Sequence, residues 1–76
     1  MYVYEKQSYT ITYILKVDVR ISKEDIDKVF EIIEEEKVIK HQSGNSIAKI
    51  IFEFLSSKYS VTRVEFYIQN NYSRYF

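Results

Sequence analysis

The stretch SYTITYILKVDVRI, residues 8–21, alternates apolar and polar side chains over its whole length. Every odd position is apolar, and every even position is polar except Ile14. Alternation with a period of two, in residues rich in Thr, Ile, Val and Tyr, predicts a β-strand with one buried face. One strand of this length would span about 43 Å. The sequence leaves open whether the run is one long strand or bends near Val17 and Asp18.

The flanking segments predict a short first strand and a helix. MYVYE at the N-terminus predicts the strand, and the polar residues 5–8 predict its connection to the long run. Ser22 is the predicted helix N-cap, with Glu24 and Asp25 in the first turn, where acids favour the positive end of the helix dipole. We expect this helix to end within residues 37–40. Its apolar stripe consists of Ile26, Val29, Phe30 and Ile33.

A second helix is predicted after the loop KHQSGNS. Ser43, Asn45 and Ser46 are alternative N-caps for it. Its apolar stripe consists of Ile47, Ile50, Ile51, Phe54 and Leu55, with Tyr59 beyond it. Phe52 falls outside the stripe, on a polar face, and is therefore a candidate contact residue.

The C-terminal part predicts two further strands. The run at residues 61–69 alternates, the two Asn at 70–71 predict a turn, and residues 72–76 predict a short terminal strand. The resulting order is ββααββ. We expect an α+β two-layer sandwich in a single domain, residues 1–76, with two helices packed on one face of an antiparallel sheet. The other face would be open or would meet another subunit.

The composition restricts how such a small fold can be stabilised. A chain near 76 residues buries only about 60% of the surface that its unfolded form exposes. Small domains therefore often add disulfides, a metal or a partner chain. The chain has no Cys and one His, which excludes disulfides and any zinc site built on several His ligands. We predict a homo-oligomer without a metal or cofactor.

The charge balance disfavours a nucleic-acid partner. Lys and Arg together number 11, as do Asp and Glu, so the formal net charge is zero and supplies no positive field for phosphate. No run approaches the roughly 18 apolar residues of a membrane span, and no signal-peptide pattern is visible. We expect a cytoplasmic protein without membrane contact. Abundant Lys, Glu and Ile, with no Pro, resemble a thermophile composition.

Three stretches resemble segments of one known family. QSYTITYIL is similar to a strand HNY-x-V-x-V-x-V, SGNSIAKIIFEFL to a helix opening PTAENIAKYIWEKL, and VTRVEFYIQNNYSRYF to a strand pair V-x-V-Y-E-T-P-x-x-x-A-x-Y. These are segments of the tunnelling-fold family of 6-pyruvoyl-tetrahydropterin and 6-carboxy-tetrahydropterin synthases. The resemblance covers nearly the whole chain and implies sheets that join edge to edge into a multimeric barrel.

The chain departs from that family at the residues that carry its chemistry. EKQSY stands where the family has the zinc-binding HGHNY, and the family's catalytic Cys has no counterpart. Tyr67 is followed by Ile68 where the family has the Glu that binds the pterin ring. Each pterin N–H left unpaired there would cost about 1–3 kcal/mol. Glu65 does not replace that Glu, because three positions along a strand place it on the opposite face.

His41 is the candidate catalytic residue that the resemblance leaves. Ile39-Lys40-His41 is similar to the family's L-D-H, whose His carries a proton. Lys40 stands where the family has an Asp that orients the ring, which reverses the charge at that position.

The sequence leaves three functions open. The first is a non-catalytic oligomeric protein for binding or assembly, indicated by the missing zinc ligands, Cys and Glu. The second is a divergent pterin-type enzyme that uses His41, Glu5 and Glu65. The third is a nucleic-acid-binding or regulatory module with aromatic residues that stack on bases. The candidates for that module are Tyr9, Tyr13, Tyr67, Lys16, Arg20 and Arg63.

For the first function, the expected partners are copies of the same chain, and a small-molecule ligand is left open. The predicted interface residues are Thr10, Thr12, Ile14 and Lys16 on the even face of the long strand, and Phe52. Ile14 is the one apolar residue on that face. Replacing it with Lys is predicted to weaken assembly more than the monomer fold.

Overall fold

The structure, a computed structural model, describes residues 1–8 and 10–70. The predicted terminal strand at residues 72–76 lies outside them, as does Tyr9. The described chain is a small α+β fold with an antiparallel sheet and two α-helices. Its elements are β1 (Tyr2–Gln7), β2 (Ile11–Val17), α1 (Lys23–Glu34), a π-helical turn (Glu35–Ile39), α2 (Gly44–Ser56) and β3 (Val64–Asn70).

The described strands form a sheet in the order β1-β2-β3, with every pair antiparallel. Leu15 of β2 lies opposite Tyr4 on one side and Phe66 on the other. Residues directly opposite one another point to the same face. The odd residues of β2 therefore share a face with even residues of β1 and β3, and both helices cover this face. This confirms the predicted two-layer arrangement.

The long alternating run bends and is not one strand. β2 ends at Val17, and the chain turns at Asp18 and Val19. The Asp18 carboxylate accepts hydrogen bonds from the backbone N–H of Thr62 (3.1 Å) and Arg63 (3.3 Å), and from the Thr62 hydroxyl. These bonds tie the bend to the segment before β3, and the Thr62 hydroxyl is the main cause that lowers the Asp18 pKa.

Strand β3 begins at Val64 and not at the predicted residue 61, and two further boundaries of the sheet differ from the predicted ones. Residues 5–8 were expected to form a connection, but Glu5–Gln7 continue β1 and pair with β2. The connection is shorter, and the Ser8 N–H donates to the Ile11 carbonyl at 2.7 Å. Asn70 was expected in a turn, but it is the last residue of β3 and lies opposite Ile11. In both places, pairing with β2 outweighs the polar composition that indicated a loop.

Helix α1 begins as the sequence predicts. The Ser22 side chain accepts from the Asp25 N–H, and the apolar stripe is buried. The α-helix ends at Glu34 and continues as the π-helical turn to Ile39, so the helical segment ends within the predicted range. The Lys40 N–H donates to the Glu35 carbonyl at 3.0 Å, a bond across five residues that is typical of π-helices.

Helix α2 resolves the three alternative N-caps in favour of Ser43, whose hydroxyl accepts from the Ser46 N–H at 3.2 Å. Three residues of its stripe are fully buried, and Ile50 and Phe54 are half-buried. One hydrophobic core lies between the sheet and both helices. Its completely buried side chains are Leu15, Val17, Val29, Ile33, Ile47, Ile51 and Leu55.

Candidate functional site

The sheet face opposite the helices is the first candidate functional surface, and we call it the open face. It carries Val3, Glu5 and Gln7 of β1, Thr12, Ile14 and Lys16 of β2, and Glu65, Tyr67 and Gln69 of β3. Glu5, Ile14 and Tyr67 form one row across the three strands. Val3 lies diagonal to Ile14, within reach of cross-strand contact. The open face therefore has an apolar centre with polar residues around it.

Glu65 and Lys16 on the open face both contact neighbouring side chains. The Tyr67 hydroxyl donates to Glu65 Oε1 at 2.6 Å, and Arg63 Nε lies 3.4 Å from Glu65 Oε2. The Lys16 ammonium lies 5.4 Å from the centroid of the Tyr67 ring, which allows a cation–π contact. The Tyr67 hydrogen bond is the main cause that lowers the pKa of Glu65, and the same bond raises the pKa of Tyr67.

These contacts do not give Glu65 the properties of an acid catalyst. Glu65 is held ionised by a hydrogen bond and a cation, which is the opposite of the raised pKa that a carboxyl acid catalyst needs. Within residues 1–8 and 10–70, no three His, Cys, Asp or Glu side chains are grouped to hold a metal ion. The open face has the polar and apolar mixture that is typical of a protein interface.

The predicted interface residues do not form one patch. Ile14 and Lys16 lie on the open face as expected, and Thr10 lies just before β2. Thr12 is only 4% exposed and offers little surface to a neighbouring copy. Phe52 is 37% exposed on α2, so it lies on the helical side of the molecule, away from the open face.

His41 lies in the loop between the π-helical turn and α2, exposed and with a left-handed φ of 56°. Its position is therefore in the helical layer. Glu5 and Glu65, its proposed catalytic partners, lie on the open face. The structure does not bring the three residues together, and the catalytic role of His41 stays a prediction. Ile68 and Glu65 point to opposite faces of β3, because they pair with Tyr13 and Lys16 respectively.

The proposed base-stacking residues are also divided. Tyr13 is 2% exposed and packs on Phe66 in the core, so it cannot stack on a base. Tyr67 is exposed, but it is engaged by Lys16 and Glu65. Tyr9 lies outside the described residues. The described residues thus provide no row of aromatic side chains with a basic border, which single-strand binding needs.

Sequence reasoning missed a polar cluster at the start of α1. Asp25 is buried and accepts from the Tyr59 hydroxyl at 2.5 Å, the Lys58 ammonium at 2.8 Å and the Ser22 hydroxyl at 3.1 Å. The Lys58 bond is the largest cause that lowers the pKa of Asp25 to about 2. The Tyr59 hydroxyl also accepts from the Ser22 N–H at 3.2 Å. The cluster therefore joins the start of α1 to the segment that follows α2. Asp25 was assigned only to the helix dipole, since nothing in the sequence paired it with residues 58–59.

It also missed a cleft where the end of α1 meets the β1–β2 connection. The cleft has a volume of about 550 Å³ and opens to solvent beside Ser8. We call it the glutamate cleft. Its other lining residues are Tyr13, Glu31, Glu34, Glu35, Val38 and Ile39. Nothing local in the sequence places the acids of the α1 end beside Ser8 and Tyr13, and the cleft forms only where these segments meet in the fold.

Comparisons with known proteins found no match to a protein-family model, a curated protein or a solved structure. The resemblance to pterin synthases therefore stays a prediction. Neither helix of the described chain has the length and apolar character that crossing a membrane requires.

Proposed function

We propose that the protein is a non-catalytic assembly and binding module that associates with copies of itself through the open face and the outer edge of β1. The observation that carries this proposal is the apolar centre of the open face. Ile14 lies between Glu5 and Tyr67, and Val3 and Tyr67 are 53% and 46% exposed. Among the described residues, no helix packs against this face.

A second copy fits the open face because the face is electrically self-complementary. It carries the acids Glu5 and Glu65 and the base Lys16, and Arg63, just before β3, adds a second base at its border through an ion pair with Glu65. An identical surface can therefore match acids with bases by symmetry. A polyanion would meet the two carboxylates and gain little.

The edge of the sheet supports the same occupant. Strand β1 pairs with β2 on one side, and no strand in the described part of the chain pairs with its other side. Unpaired backbone groups on such an edge favour addition of another strand. The resemblance to pterin synthases implies assembly in which sheets join edge to edge.

Light scattering across the micromolar range tests this proposal. We expect the wild-type chain to form a multimer and the Ile14→Lys variant to have the mass of a monomer, because a lysine at the apolar centre buries an unpaired charge. Ile39→Lys is the matched control. Ile39 is 72% exposed on the π-helical turn, and its replacement should leave the mass unchanged.

The Phe52→Lys variant separates the two predicted contact patches. Phe52 lies on the helical side, so we expect this variant to assemble like the wild type. A wild-type chain that stays monomeric at every concentration would overturn the proposal. Dissociation by Phe52→Lys, with Ile14→Lys still assembled, would move the interface to the helices.

A further inference from the structure

The glutamate cleft is unrelated to the open face, because it lies on the helical side of the sheet. The carboxylates in its wall are unequally neutralised. Glu34 pairs with Lys6 at 2.7 Å, and Glu35 lies 3.9 Å from the ammonium of Lys40. Glu31 forms no ion pair with any described residue. The cleft therefore keeps a negative charge that no described cation cancels.

Tyr13 supplies a second and independent indication of a ligand. It is 98% buried, it lines the cleft, and its hydroxyl forms no hydrogen bond with any described residue. Burial is the main cause that raises the pKa of this hydroxyl, and the Glu34 carboxylate in the cleft wall raises it further. A buried hydroxyl without a partner is costly, by about 1–3 kcal/mol. A ligand in the cleft with an N–H group can give it that partner.

The remaining wall limits the chemistry of the ligand. Val38 and Ile39 are large apolar side chains that are 56% and 72% exposed beside the carboxylates. A ligand with an apolar portion can cover these side chains and remove them from water. A bare metal ion fits poorly, because the described acids do not form a cluster that could hold one. An alkylammonium group has three N–H donors and fits carboxylate and hydroxyl acceptors.

We propose that the glutamate cleft binds an organic cation that carries an alkylammonium group on an apolar chain. The ammonium lies among the carboxylates and the Tyr13 hydroxyl, and the chain lies along Val38 and Ile39. This site does not depend on assembly through the open face. A monomeric variant such as Ile14→Lys should bind the cation as the wild type does.

A titration followed by amide NMR shifts tests the cleft with two probes of equal length, hexylammonium and the neutral 1-hexanol. We expect hexylammonium to shift residues 8, 13 and 31–39 and to bind about fivefold more tightly than hexanol, the size of one exposed charge interaction. Added salt should reduce this preference. Equal affinities for the two probes, or shifts located elsewhere, would overturn the proposal.

Three variants define the contribution of each group. Glu31→Gln combined with Glu35→Gln should abolish the preference for hexylammonium, whereas the control Glu53→Gln, exposed on α2, should retain it. Tyr13→Phe keeps the ring against Phe66 and removes the hydroxyl. It should weaken hexylammonium severalfold and hexanol less, because the alcohol carries one donor and no charge. If Tyr13→Phe does not fold, the double Gln variant still tests the proposal, because Glu31 and Glu35 are exposed and their replacement should not disturb the fold.

Discussion

Neighbouring residues of β2 enter two different environments. Leu15 and Val17 are completely buried beneath the helices, whereas Ile14 and Lys16 point away from them and keep part of their surface. Ile14 and Leu15 are isomers that differ only in branching. The burial of each residue therefore depends on whether its position is odd or even in β2, and on what covers that face of the sheet. Hydrophobicity alone does not distinguish a core residue from an interface residue.

The largest difference between the faces is expected on truncation of Leu15. Leu15→Ala removes a completely buried side chain and leaves a cavity, so we expect a loss of about 2–5 kcal/mol in the free energy of unfolding. Urea denaturation measures this loss. Ile14→Ala is the matched control and should lose less than half as much when the chain is monomeric. Equal losses would show that the open face is part of the core.

The Ile14→Lys variant tests the open face with a smaller effect on the fold. Lysine can extend its ammonium into solvent from a half-buried position, so the unfolding free energy of the monomer should change by no more than about 1 kcal/mol. The expected loss is in the mass of the assembly. Denaturation at a concentration where both forms are monomeric separates the two effects. A loss as large as that of Leu15→Ala would contradict an interface role.

Each side of the molecule has a carboxylate that accepts a hydrogen bond from a tyrosine, and the two carboxylates differ in burial. Asp25 in the helical layer is buried, with a pKa lowered to about 2 from 3.8. Because its folded-state pKa is below the unfolded value, its stabilisation is complete above pH 3.8 and is lost as the pH falls toward about 2. Asp25→Asn should remove this pH dependence from acid unfolding curves. Asp27→Asn, exposed on the same helix, should leave most of it.

The smallest effect is expected on the open face. Tyr67→Phe removes the main hydrogen bond to Glu65, so the Glu65 pKa should rise toward its ordinary value. Tyr59→Phe should raise the pKa of Asp25 only in part, since Lys58 and Ser22 still bind that carboxylate. Carboxyl NMR shifts follow both titrations. An unchanged Glu65 pKa would show that Tyr67 does not hold it.

The residues that the resemblance marks as functional are not the ones that the fold brings together. The sequence singled out His41, Glu5 and Glu65 as a catalytic set, but no hydrogen bond or ion pair among the described residues joins His41 to either carboxylate. The glutamate cleft and the Asp25 cluster each bring together residues from different elements. Glu31 and Tyr13 are 18 positions apart, and Asp25 and Lys58 are 33 apart. No local pattern reports such long-range proximity.

The sequence offers three N-caps for α2, but it predicts the start of α1, the buried stripes and the side of β2 that faces the core. These follow from local physics: Ser22 and Ser43 satisfy free N–H groups, and periods of two and 3.6 place apolar side chains on one face. The strand ends, in contrast, depend on contacts between distant segments. Asp18 finds its partners at Thr62 and Arg63, and Asn70 finds Ile11, both far along the chain. These long-range bonds outweigh the local preference of a segment for strand or turn. They form between residues that are distant in the sequence, so no local pattern predicts them.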